Sequence, residues 1–216
     1  TLLKEYFQNT DEANDKPLMR AASSVLKKLF HQKEINAFIE THQYLEGLEF
    51  NDAVLEHFNF TFQVSSKDRA RIPDQRRVLI VANHPLGSLD GLALLKLVSE
   101  IRTDVKIVAT TLLNCIDPLK GLFLSVDNLA KSAHHRDSMN QIIQALESEQ
   151  AVILFPTGEV SRISPLGTMM LVNEMFNQKG SEISFRIGKP IPWESIAAMD
   201  LSKKAVAKLM RKQVYL

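Results

Sequence analysis

The stretch V-L-I-V-A-N-H-P-L-G-S-L-D-G-L-A-L-L, from Val78 to Leu95, decides how this chain is read. It opens as a short apolar run rich in β-branched residues, the composition of a buried strand. It breaks at Asn83-His84-Pro85, turns through Gly87-Ser88, and resumes at Asp90 as an apolar stretch of helical character. A histidine and an aspartate therefore stand in a tight turn between a buried strand and a helix. In open α/β sheets that is the side on which ligands bind, outside the carboxyl ends of the strands. An imidazole titrates near neutrality, so His84 is a candidate general base, with Asp90 to hold and polarise it.

Working outward, strands are expected at Phe60–Val64, Arg77–Ala82, Val105–Ala109, Leu122–Val126, Ala151–Phe155 and Glu182–Ile187, with helices at Gly91–Ile101, Asp137–Glu149 and Leu201–Leu216. Ser65–Arg77 is charged and carries Pro73, so a surface loop is expected there. Leu112–Leu119 reads ambiguously, with Pro118 arguing for a break. Alternating strands and helices predict an α/β fold, with a mixed, mostly parallel sheet flanked by helices. Residues 1–60 read as an N-terminal helical segment packed on the core, and 61–216 as the α/β domain, together one compact unit. Within the first segment, Leu18–Leu29 is basic and amphipathic, Lys33–Leu45 and Phe50–Phe58 follow with helical spacing, and Gly47 interrupts. A basic amphipathic helix either packs on a sheet or lies in a membrane interface, and the pattern does not separate the two.

The 216 residues are 45% apolar and 24% charged, enough for an ordinary core, and the net charge of +1 offers no global attraction to nucleic acid. The single Cys115 excludes an internal disulfide framework, and no cysteine cluster suggests a metal. Cys115 reads as a reduced core thiol of a cytosolic protein. No apolar run approaches the ~18 residues of a spanning helix, so membrane contact is expected to be peripheral. The chain starts at Thr1 and not at Met, so an upstream piece is expected.

A second polar turn, T-G-E-V-S-R, follows the apolar run ending at Phe155-Pro156 and supplies Gly158, Glu159, Ser161 and Arg162. In a mostly parallel sheet it opens at the same edge as the first turn, which supplies Asn83, His84, Gly87, Ser88 and Asp90. A base, its orienting acid, small residues permitting close approach and an arginine able to grip an anion make a transferase set. Each also has a plain structural role. Asp90 suits a helix N-terminus, Gly87 and Gly158 suit turns, and Glu159 with Arg162 suits a solvated pair. Ser88 lacks the G-x-S-x-G surroundings of a hydrolase nucleophile, and no phosphate-cradling or dinucleotide glycine loop is present.

Together the two turns resemble the glycerolipid acyltransferase superfamily, whose members include 1-acylglycerol-3-phosphate acyltransferases. N-H-P-L-G-S-L-D-G is similar to the first block of that family, G-L-F-L-S-V-D-N at Gly121 to Asn128 to the second, and L-F-P-T-G-E-V-S-R to the third, usually F-P-E-G-T-R-S. The likeness covers Arg77 to Ile191. Five residues separate His84 from Asp90 where four are usual, Asn128 stands in place of an arginine, and Thr157 stands where a glutamate is usual. These departures resemble a bacterial subgroup labelled hemolysin that includes ornithine-lipid and glycine-lipid acyltransferases. The resemblance implies an O-acyltransferase that moves a fatty acyl group from acyl carrier protein or coenzyme A, a co-substrate and not a bound cofactor, to a lyso-lipid hydroxyl. A lyso-aminolipid acceptor is favoured over lysophosphatidic acid. It implies catalytic roles for His84 and Asp90 and acceptor-binding roles for Gly158, Glu159 and Arg162. It also implies a cytoplasmic protein seated peripherally on the inner face of a bacterial plasma membrane. A hydrolase using Ser88, or a non-catalytic lipid-binding protein, are the competing readings. The family normally continues after the third block with a helix and a further buried strand, whereas Arg162 here leads straight into I-S-P-L-G. A segment on the order of a few tens of residues is expected to be absent between Arg162 and Ile163.

Overall fold

The turn at His84 takes its position from two neighbouring parallel strands, β2 (Val78–Val81) and β5 (Ala151–Leu154). The computed structural model describes residues 31–110, 113, 116–126, 133–156 and 173–214. Two parallel sheets are found among them. The larger runs β2-β5-β3-β4, with β3 at Val105–Thr110 and β4 at Phe123–Val126; the smaller pairs β1 (Thr61–Val64) with β6 (Glu182–Phe185). The expected α/β architecture stands, and every strand pair among the described residues is parallel. Burial follows position in the sheet. Central β5 is buried at Ala151, Val152 and Ile153, whereas edge strands β2 and β4 are only half-buried. A strand covered on both faces must be apolar throughout, and A-V-I-L satisfies that.

The helix after the turn, α4 (Leu89–Ser99), is the centre of the core. Leu89, Asp90, Gly91, Ala93, Leu94, Leu95, Leu97 and Val98 are all buried. A helix apolar on nearly every side has to be enclosed, and α4 lies between β3 and α2 (Gly47–His57). Phe50, Val54, Leu55 and Phe58 of α2 join the same apolar cluster. Asn51 of α2 donates from Nδ2 to the Leu92 carbonyl at 3.2 Å, and Asp52 pairs with Lys96. Ahead of α2, α1 (Gln32–Thr41) sets Phe38 edge-on to Phe50. Gly47 does mark a boundary: it takes φ +57 and opens α2, so the helix starts three residues before the expected Phe50. The Leu18–Leu29 stretch and Cys115 lie outside the described residues.

The segment expected as a plain loop before β2 holds one helical turn, α3 (Ser66–Arg69), because Ser65 caps it: its Oγ accepts from Asp68 N. The ambiguous stretch around Pro118 resolves as a 3-10 helix at Asp117–Leu122, with the proline in the first turn where its missing N–H costs nothing. After β4, α5 (Ala133–Glu147) crosses back and delivers β5 between β2 and β3. After β6 come α6 (Trp193–Ala197) and α7 (Lys203–Val214).

At the amino ends of the strands, one guanidinium ties three entrances together. Arg102, ahead of β3, forks onto the Asp104 carboxylate at 2.7 and 2.8 Å. It also donates to the carbonyls of Arg76, ahead of β2, and Glu149, ahead of β5, each at 2.7 Å. Both carbonyls belong to residues in the left-handed region, at φ +63 and +61, which arrange them to face one donor. The Arg102 hydrogen bonds hold the Asp104 carboxyl below its usual value despite partial desolvation. Replacing Arg102 by Met strands these acceptors, and the expected cost is about 3 kcal/mol. This is read as a lowered urea midpoint with an unchanged denaturant slope.

Candidate active site

His84 leaves the carboxyl end of β2 and is walled on three sides. Its Nδ1 stands 3.1 Å from Asp90 Oδ1, with the His84 side chain 21% and the Asp90 side chain 3% exposed. The contact is an ion-pair approach and not a full hydrogen bond: this buried nitrogen has no hydrogen-bond partner among the described residues. One ring face stacks on Phe155, with centroids 4.2 Å apart and planes 14° from parallel. On another side lies Gly91, where an added Cβ would sit 3.1 Å from His84 Cε1 and 3.6 Å from the Phe155 ring. The glycine is therefore needed for close approach.

Asp90 organises the turn as well as the histidine. Its Oδ2 accepts from Leu86 N, and its Oδ1 from Ser88 N and Gly91 N, at 3.0–3.1 Å. It sits in the first turn of α4, where the helix dipole favours a negative charge. The structural and catalytic readings of Asp90 thus describe one carboxylate. Burial by itself would push its carboxyl up, but the His84 ring and the N–H groups of Leu86 and Gly91 outweigh burial and leave it below the ordinary value. Gly87 takes φ +73, a backbone state that only glycine enters freely, and lets the turn reverse into α4.

Ser88 occupies the N-cap position of α4, but its side chain makes no capping bond. Its Oγ is buried and unpartnered among the described residues. A serine nucleophile activated by His84 would be expected to share a hydrogen bond with it. Asn83 is exposed at the mouth of the turn.

The second turn roots beside the first. Val81 is in register with Leu154, and Ala82 N donates to the Leu154 carbonyl at 3.1 Å, so Phe155-Pro156 emerges next to His84. Gly158, Glu159, Ser161, Arg162, Asn128 and the Arg162–Ile163 junction lie outside the described residues. Sequence reasoning did not foresee Phe155 as a wall of the site or Leu86 as a donor. The first needs the pairing of β2 with β5; the second is a backbone group that carries no side-chain signal.

The acyltransferase family matches residues 12–166, well over half of the chain. The chain belongs to this acyltransferase family. Within it, the chain is 31% identical over 140 residues to a lyso-glycine lipid O-acyltransferase of Bacteroides thetaiotaomicron, an alignment covering 64% of this chain and 50% of that protein. It is 27% identical over 148 residues to the protein of the same description in Phocaeicola vulgatus, covering 68% of this chain and 52% of that one. The chain thus spans about half the length of these relatives. No solved structure matches significantly. For an acyltransferase, His84 beside a buried carboxylate is the arrangement that can deprotonate a hydroxyl.

Two outcomes follow for this candidate site. Gly91→Ala should lower kcat about 10-fold by displacing the His84 ring, while its thermal midpoint holds or rises, since alanine favours the helix. Steady-state kinetics beside a melting curve separates the two effects. Because the folded-state pKa of Asp90 is depressed, its stabilisation is present above the unfolded value and is lost as pH falls through the lower folded one. Urea midpoints followed into strong acid should show that loss in the natural protein, and Asp90→Asn should lack it.

Proposed function

We propose that this chain is the catalytic part of an O-acyltransferase that moves a fatty acyl group from a thioester to the hydroxyl of a lyso-lipid, with a lyso-aminolipid as the favoured acceptor. The observation that carries the reading is the buried Asp90 carboxylate at the Nδ1 of His84. The two lyso-glycine lipid O-acyltransferases support the acceptor class.

The chemistry runs through the chain's own groups. Asp90 keeps the proton of His84 on Nδ1, so Nε2 presents a lone pair. A lipid hydroxyl is a poor nucleophile at neutral pH, and Nε2 takes its proton as the oxygen attacks the thioester carbonyl carbon. The imidazolium that forms is stabilised by Asp90. The carbonyl oxygen gains negative charge and needs preorganised donors; the buried Ser88 hydroxyl, four residues on from His84, has no hydrogen-bond partner among the described residues and would be available for this. The tetrahedral species collapses, the C–S bond breaks, and the departing thiolate takes the proton back from Nε2. No acyl-enzyme forms. Acyl carrier protein or coenzyme A would supply the thioester, with Gly158, Glu159, Ser161 and Arg162 gripping the acceptor headgroup and Asn83 and Gly87 shaping the mouth. The protein would work at the inner face of a bacterial plasma membrane, held peripherally: no described helix is long and apolar enough to cross one.

The test is incubation with acyl carrier protein thioester and a panel of lyso-lipids, with products read by mass spectrometry. An acylated lyso-aminolipid is expected, and newly made phosphatidic acid alone would reject that acceptor. His84→Ala should cost roughly 10²–10⁴-fold in kcat. Ser88→Ala should retain transfer at a rate reduced on the order of 10-fold, well short of the loss on removing His84. Complete loss in Ser88→Ala with activity left in His84→Ala would favour the hydrolase.

A further inference from the structure

The last part of the chain is built unlike the rest. Ile191, Trp193, Met199 and Leu201 are large apolar side chains left exposed within a short segment, with Trp193 at 69%, Ile191 at 50% and Met199 at 50%. Immediately after them comes α7, which bears Lys203, Lys204, Lys208, Arg211 and Lys212 and no acidic residue. Val206, Leu209, Met210 and Val214 recur at helical spacing along one face, with Lys204, Lys208, Arg211 and Lys212 on the opposite face. Along α7, Val206, Leu209, Met210 and Val214 are half-buried and the five basic side chains exposed; no residue of the helix is fully buried, and neither α6 nor α7 packs extensively on another described element. The apolar cluster that includes α2, α4 and β3 takes in no residue beyond Ile187.

A helix of this length is marginal in water without a partner surface. Its own polarity states the partner. One face is apolar, the other is cationic, and an exposed tryptophan stands beside it, which is the composition of a helix lying in a lipid interface. Lysine stems can reach from such a helix to headgroup phosphates while their methylenes stay on apolar surface. The segment from Ile191 to Val214 carries five basic residues against Glu194 and Asp200, so it is locally cationic in a chain whose net charge is +1.

We propose that Ile191–Val214 is the surface by which this protein docks on an anionic lipid bilayer, with α7 in the interface plane and Trp193 and Ile191 inserted among the acyl chains. The proposal deepens the lyso-lipid reading by assigning the face that brings the enzyme to its membrane-borne acceptor. An acidic carrier protein would complement the lysines but would leave the exposed Trp193, Ile191 and Met199 unexplained.

Trp193 is the only tryptophan of the chain, so its fluorescence reports this face directly. The full chain is titrated with vesicles of phosphatidylcholine alone and of phosphatidylcholine mixed with phosphatidylglycerol. The expected result is a blue shift of Trp193 emission with the mixed vesicles, quenching by brominated acyl chains, and reversal by salt. Replacing Lys204, Lys208 and Lys212 together with Gln, which keeps helix propensity, should weaken partitioning on the order of 100-fold. Ile191→Ser with Met199→Ser alters exposed positions that the fold does not need, and should weaken it as well. This readout does not depend on acyl transfer, so a failed activity assay and a failed docking assay are distinct results. Unchanged Trp193 emission with anionic vesicles would overturn the proposal, as would triple-Gln binding equal to that of the natural chain. An emission shift given by acyl carrier protein and by no vesicle would assign the face to a protein partner instead.

Discussion

The parallel pairing of β2 with β5 is the constraint on which the site depends. Both strands end at the same edge of the sheet, and their register sets Val81 against Leu154. The next residues of each strand, Ala82 and Phe155, are therefore neighbours, and His84 comes to rest with its ring on Phe155. A slip of one residue in this register would turn Phe155 to the other face of the sheet and remove that wall. The register is protected from the opposite end. Arg102 fastens the residues that precede β2, β3 and β5, so the amino ends of three strands are fixed by one buried cation. Fixing both ends of a parallel pair lets an edge strand as short as V-L-I-V hold the His84 turn in place.

Asp90 solves a local problem with one carboxylate. A buried anion is costly unless it is surrounded by donors. Here the donors are three backbone N–H groups, with the histidine ring 3.1 Å away and the positive end of α4 behind them. The groups that make the charge tolerable are the same ones that shape the turn and orient the base. Gly87 sits within the turn at positive φ, and the carboxylate gathers the N–H groups of Leu86 and Ser88 on either side of it.

Much of this was legible in the residues. Each strand was visible as an apolar or alternating run, and the His84–Asp90 pair was visible because a strand, a turn and a helix follow one another without interruption. What the sequence could not carry is contact between distant segments. β1 pairs with β6 across more than half of the chain, splitting the strands into two sheets, and nothing local in T-F-Q-V or E-I-S-F announces that partner. Phe155 reads locally as the last residue of a buried strand, and only the sheet order makes it a wall of the site. Arg102 reads as one more charge between a helix and a strand. Its role depends on two carbonyls far away in sequence, both turned by a left-handed backbone.

The core and the chemistry are joined through α4. Asp90 and Gly91 belong to the first turn of a helix whose remaining residues fill the space between α2 and β3. A side chain held on such a helix has little freedom to drift, because moving it means repacking Leu94, Leu95, Leu97 and Val98, all almost wholly enclosed. The same logic separates the site from the C-terminal segment. Asp90 is held by an element buried on nearly every side and His84 stands against it, which would suit a base that must meet its substrate within a fraction of an ångström. α7 has no fully buried residue, which would suit a surface whose partner is soft and laterally mobile. Under the proposed reading a lipid acyltransferase would need both properties, and they would fall at different points along the chain, one at the start of the most enclosed helix and the other in a helix with no fully buried residue.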